Sequence, residues 1–166
     1  MKGNIWPNKR EVSIIPRSDW GRLLLLIGRF ALAAVFFATA YAKVKPQGGM
    51  PWTVGSIKVS LAMFALGVDS YQILPPWAVN PVAHLLPPFE FVLGLWILSG
   101  ISLRYSSLLA TVLLATLFFA MARAHALNLV GPARLVRDGI QYFPLALAVT
   151  VASFMKHRES PGRRSA

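Results

Sequence analysis

The stretch LLLLIGRFALAAVFFATAYA, Leu23 to Ala42, decides the fold class. It is twenty residues long and carries a single charge, Arg29. A bilayer core is about 30 Å thick, and a helix needs roughly 20 mostly apolar residues to cross it. Trp20 stands before the block and Lys43 after it, an amphipathic aromatic and a cation at the two ends where an interface would lie. Three further blocks repeat the pattern, at Ala78–Leu98, Tyr105–Ala124 and Gly139–Met155. The expected fold is therefore all-α: an integral membrane bundle of four helices. A basic arm (1–20) precedes the transmembrane domain (21–155), and a basic tail (156–166) follows it.

Composition agrees with this class. Hydrophobic residues make up 55% of the chain and charged residues 14%, with mean hydropathy +0.55; a globular domain carries about 25% charged residues. The net charge of +11 does not imply nucleic acid, because the basic residues gather at the two chain ends and at the ends of the apolar blocks. In a membrane protein such charges set orientation and meet anionic headgroups. Four spans put both termini on one side. As the termini are the most basic segments, both are expected in the cytoplasm, with the bundle in the bacterial inner membrane. Lys43, Lys45, Lys58, Arg134 and Arg137 then fall on the other side, against the rule. The absence of cysteine excludes disulfides, thiolate chemistry and cysteine-held clusters in this chain.

Between the first two spans, Val59–Val68 is apolar but too short to cross, and reads as an interfacial or re-entrant helix ending near Asp69 and Tyr71. Pro81, Pro87 and Pro88 in the second span each remove an amide donor and crowd an earlier carbonyl, which predicts a kink or break. In the first span, Ala34, Ala38 and Ala42 form a small-xxx-small stripe that reads equally as a helix contact or as an alanine-rich face towards lipid. The Ala40-Tyr41-Ala42 end is A-x-A-like, but the apolar run is longer than the 7–15 residues of a signal peptide, so the segment is expected to stay.

Ionisable residues inside apolar spans are costly, and are paired or functional. Arg29 and Glu90 lie well inside theirs. Counted from the cytoplasmic ends at 1.5 Å per residue, their depths are about 9 and 12 Å, so an ion pair between them is expected. Its roles range from fixing register, through an Arg29 that only snorkels to the headgroups, to a proton- or quinone-associated carboxylate. A second polar group gathers at the opposite helix ends: Lys43, His84, Arg123, His125 and Asp138, with Asn128 and Gln141 near them. It reads as interfacial anchoring, as a site for a quinone head group, or as a contact for an anionic partner surface. No HxxH or ExxH spacing sets up a metal site, and none is assigned. No nucleophile–base arrangement is visible, so the chain is expected not to catalyse by itself. A small-solute carrier is disfavoured by the lack of an inverted repeat.

The order of several short motifs resembles the DoxX/MauE group of small four-helix bacterial membrane proteins. Arg29-Phe30 leads through an apolar helix to Ala40-Tyr41-Ala42-Lys43. Tyr71-Gln72-Ile73-Leu74-Pro75 follows, a tyrosine shortly before Leu-Pro. The run from Leu86 to Leu95 matches the group's LP–x–x–E–x–x–x–G pattern at Leu86, Pro87, Glu90 and Gly94, and Arg137-Asp138 is similar to a pair seen before the last span. The resemblance covers about Arg22 to Phe154. It implies a membrane accessory protein or subunit of a redox system, with a role in assembly or maturation of a periplasmic methylamine dehydrogenase or similar enzyme; the DoxX side of it implies a quinone-reactive oxidoreductase subunit. The implied partners are the lipid bilayer and a redox enzyme or maturation protein. No cofactor is required, and a quinone is the one it leaves open. Asn128–Arg134 lacks the Cys-x-Cys-type pair of many MauE-like members, which argues against thiol transfer.

Overall fold

The computed structural model describes residues 17–136 and 140–159. Every regular element among them is helical. In chain order these are α1 (Arg17–Val44), α2 (Val54–Asp69), α3 (Pro76–Ser99), α4 (Leu103–Ala126), the single turn α5 (Pro132–Leu135) and α6 (Phe143–Glu159). Each apolar block of the sequence lies within or largely overlaps a helix, and the short apolar segment before the second span becomes α2. The first sixteen residues of the basic arm and 160–166 of the tail lie outside the described residues.

Three helices, α1 from Trp20 onward, α3 and α4, are long and apolar enough to cross a membrane. The apolar part of α6, Phe143–Met155, is shorter. All four contribute to one core: Leu32, Ala33 and Phe36 from α1, Leu93 and Ile97 from α3, Ala110 and Leu114 from α4, Ala146 and Val149 from α6. The outward surface of the same helices is apolar too, with Leu24, Ile27, Val92, Val112, Phe119 and Val151 half or more exposed. An exposed apolar surface that encircles a packed core is stable in lipid and not in water.

The helices pair antiparallel. α1 lies along α3, with Phe37 against Gly94 and Arg29 against Gly100. α4 lies along α6, with Ser107 opposite Ser153, Thr111 opposite Thr150 and Phe118 opposite Phe143. α3 runs as one helix through Pro81, Pro87 and Pro88, so no break in the helix occurs where two adjacent prolines predict one. Pro87 is buried; before it α3 packs on α2 through Val79 and Ala83, after it on α1 through Glu90 and Gly94, and this packing holds the helix together despite the backbone bonds its prolines remove. At Gly94 the approach is close: a Cβ there would stand 2.9 Å from the Phe37 ring. Gly94→Leu is expected to destabilise the fold by about 1–3 kcal/mol, with the loss reduced when Phe37 is Ala. Unfolding in mixed detergent micelles reads both values. The Ala34, Ala38 and Ala42 stripe faces outward, since all three are exposed, and the α1 residues that meet α3 lie on the other side.

α2 begins at a capping box: Thr53 Oγ1 accepts from the Ser56 amide at 3.2 Å and Ser56 Oγ accepts from the Thr53 amide at 3.0 Å. Its polarity is inverted. Ser56 and Ser60 are buried while Val59, Met63 and Leu66 are exposed. Ser60 donates to the Lys45 carbonyl at 2.9 Å, tying α2 to the chain just beyond α1, and Ala65 packs on Val79 and Ala83 of α3.

The α4–α6 seam is made of hydroxyls. Thr111 and Thr150 lie 2.9 Å apart, Ser107 and Ser153 3.4 Å, and both pairs are buried. Thr111 also donates to the Ser107 carbonyl and Ser153 to the Thr150 carbonyl, so the seam is satisfied from within. Hydroxyl pairs between membrane helices contribute about 0.6 kcal/mol each, with a ceiling near 1.7. A double-mutant cycle on Thr111→Val and Thr150→Val should give a coupling in that range, read from reversible unfolding in detergent.

Candidate functional site

The charged centre of the described residues joins Lys43 at the end of α1 to Glu90 in α3. The Lys43 ammonium donates to both carboxylate oxygens, at 2.6 Å to Oε1. The Glu90 side chain is 7% exposed and that of Lys43 16%, so the pair is withdrawn from the surface. Lys43 has a flexible four-carbon stem, which lets its ammonium reach inward from the last turn of the helix. Phe64 of α2 offers its ring face 5.5 Å from the ammonium, within the range of a cation–π contact. The Thr39 hydroxyl, one turn back on α1, lies beside the same carboxylate while donating to the Phe36 carbonyl. Three helices thus meet at one neutralised pair of charges.

Arg29 is elsewhere. Its guanidinium lies over Gly100, where α3 ends, and against the Phe30 ring at 5.3 Å. The expected Arg29–Glu90 pair is replaced by Lys43–Glu90 because the helices are staggered: α1 begins twelve residues, roughly 18 Å of helix, before Arg29 meets the end of α3. Depths counted from the cytoplasmic ends of the two apolar blocks do not refer to one level. Arg29 Nε is buried without a hydrogen-bond partner, and the guanidinium sits at a helix C-terminus, where the backbone dipole favours a cation.

The two histidines of the second expected group each make local contacts. His84 is exposed and its Nδ1 lies 2.9 Å from the Asn80 carbonyl of its own helix. His125 Nδ1 lies 2.8 Å from the Val130 carbonyl, fastening the turn after α4 in which Asn128 takes φ 58°. Arg123 is exposed on α4. No hydrogen bond or ion pair links Lys43, His84, Arg123 and His125 to one another among the described residues, and Asp138 lies outside them. The residue that sequence reasoning misplaced is Lys43. Its signal was its position: two residues short of Lys45, it is the earlier of two lysines after the block, and the earlier one has the stem length to fold back into the apolar zone.

Beside the pair, the α1–α3 surface holds an apolar groove of about 500 Å³, with Trp52 at its rim. The Trp52 and Tyr41 rings stack with centroids 5.7 Å apart.

A family model for methylamine utilisation protein MauE matches residues 21–132. No curated protein and no solved structure matched the chain. The matched span runs from the first spanning helix to the start of α5 and contains both Lys43 and Glu90. With well over half its length covered, this membrane protein belongs to the methylamine utilisation protein MauE family.

Proposed function

We propose that the chain is a membrane-embedded accessory protein or subunit of a redox system, acting in the assembly or maturation of a periplasmic methylamine dehydrogenase or a similar enzyme. The family match carries this reading. The site supports it in kind. Lys43 and Glu90 neutralise one another, the α4–α6 hydroxyls satisfy one another, and neither group presents a nucleophile with a base. Such a protein holds and positions; the chemistry belongs to its partner. In this reading α6 is the fourth span and α2 dips into the bilayer beside α3, its outward Val59, Met63 and Leu66 meeting lipid. The bundle sits in the bacterial inner membrane with both termini in the cytoplasm.

Removal of the gene from its host tests the reading. Loss of folded, active dehydrogenase from the periplasm, with its transcript unchanged and recovery on complementation, is the expected result. Full dehydrogenase activity without the chain would overturn it. Gentle extraction on a tag at the tail, followed by mass spectrometry, then names the partner. A quinone recovered in stoichiometric amount with no protein partner would favour a quinone-reactive subunit instead.

A further inference from the structure

The groove beside the ion pair has walls from α1 (Phe37, Tyr41, Val44) and α3 (Pro88, Phe91), with Trp52 over its rim. Trp52, Phe91 and Tyr41 are half or more exposed, so the groove opens to the surroundings of the helices and not into the core. Both walls belong to helices long and apolar enough to cross a membrane, and a hollow on such a surface is filled by whatever the bilayer supplies. A quinone ring would bring two carbonyls that need donors. The side-chain hydrogen-bonding groups of the walls, the Tyr41 hydroxyl and the Trp52 indole, belong to one stacked pair, so they do not serve carbonyls on opposite sides of a ring. An acyl chain brings no such need.

The rim adds charge. Lys45 is one turn beyond Tyr41 on the same face, its amide donating to the Tyr41 carbonyl at 2.8 Å, and it is exposed. Along one line the surface therefore presents an apolar trough, a stacked aromatic pair and an ammonium. Aromatic rings settle at the headgroup level and lysine beyond it, and a lysine near the surface attracts anionic lipid. Lys43 does not contribute, since Glu90 holds it.

We propose that this groove is a binding site for one acyl chain of an anionic phospholipid, seated beneath the Tyr41–Trp52 pair with its phosphate at Lys45. The site rests on α1 and α3 crossing the bilayer, and not on the identity of any enzyme partner.

Trp52 itself is the probe. The protein is reconstituted in phosphatidylcholine vesicles containing increasing fractions of phosphatidylglycerol with brominated chains, and tryptophan quenching is recorded for the native chain and for Trp52→Phe. The difference between the two is the Trp52 signal. Saturation of that signal at a several-fold lower lipid fraction than the remaining tryptophans require is the expected result, with Lys45→Glu restoring proportional quenching. Brominated phosphatidylcholine should give no early saturation. Proportional quenching of Trp52 in the native chain, the same saturation with both headgroups, or no effect of Lys45→Glu would each overturn the proposal, as would displacement of the brominated lipid by equimolar ubiquinone. Trp52 and Lys45 are exposed, so both variants should fold, which circular dichroism verifies.

Discussion

Replacing Lys43 with Met should destabilise the protein by about 3–5 kcal/mol, the cost of leaving a buried charge without its partner. Glu90 has no other cation against it among the described residues, and the Thr39 hydroxyl beside it cannot replace an ammonium. Lys43→Met combined with Glu90→Gln should recover most of the loss, because a neutral pair of similar volume removes the unpaired charge. The coupling is read from a double-mutant cycle in reversible detergent unfolding. Strictly additive losses would show that the pair contributes nothing. Arg29→Met with Glu90→Gln provides the contrast: these residues share no partner, and their effects should add within about 0.3–0.5 kcal/mol.

Gly100→Ala should be the second large loss, for two separable reasons. Gly100 has φ 72°, where a Cβ costs about 1–2 kcal/mol. The same Cβ would also stand on the Arg29 guanidinium, the far end of a flexible side chain, which moves aside at a smaller cost than a packed core contact. In an Arg29→Ala background the second part disappears and only the backbone cost remains. Equal losses in both backgrounds would show that the Arg29 side chain moves aside freely and that the whole loss is the backbone cost.

The helices were legible in the sequence for a simple reason. Membrane spans are defined by length and apolarity, and both are read directly from blocks such as Leu23–Ala42. The family resemblance was legible in the order of Arg29, Leu86-Pro87, Glu90 and Gly94. The pairing of charges was not. It depends on stagger, a relation between helices that no single block encodes, and α1 extends well past the end of α3. Of the kink or break that the prolines predict, the break does not occur, because their local cost is visible in the sequence while the packing that offsets it is not. The alanine stripe was ambiguous because small residues suit close contact and lipid alike; in α1 the contacts went to Ala33, Phe36 and Ala40. The histidines show a further limit. His125 was legible as polar and terminal, but its use in closing its own turn is a matter of backbone direction after Ala126.

The hydroxyl seam between α4 and α6 bears on how the chain is made. The apolar part of α6 is short and is interrupted by Pro144, Thr150 and Ser153, so the insertion machinery has weak grounds to release it sideways into lipid on its own. α4 carries the matching hydroxyls and is synthesised first. Its Ser107 and Thr111 offer α6 a place where those groups need not face hydrocarbon. In the four-span reading proposed above, biogenesis is sequential: α1, α3 and α4 enter as independent spans, and α6 waits at the membrane until the site on α4 receives it. A chain lacking that site would leave its last helix stranded, a target for membrane quality-control proteases.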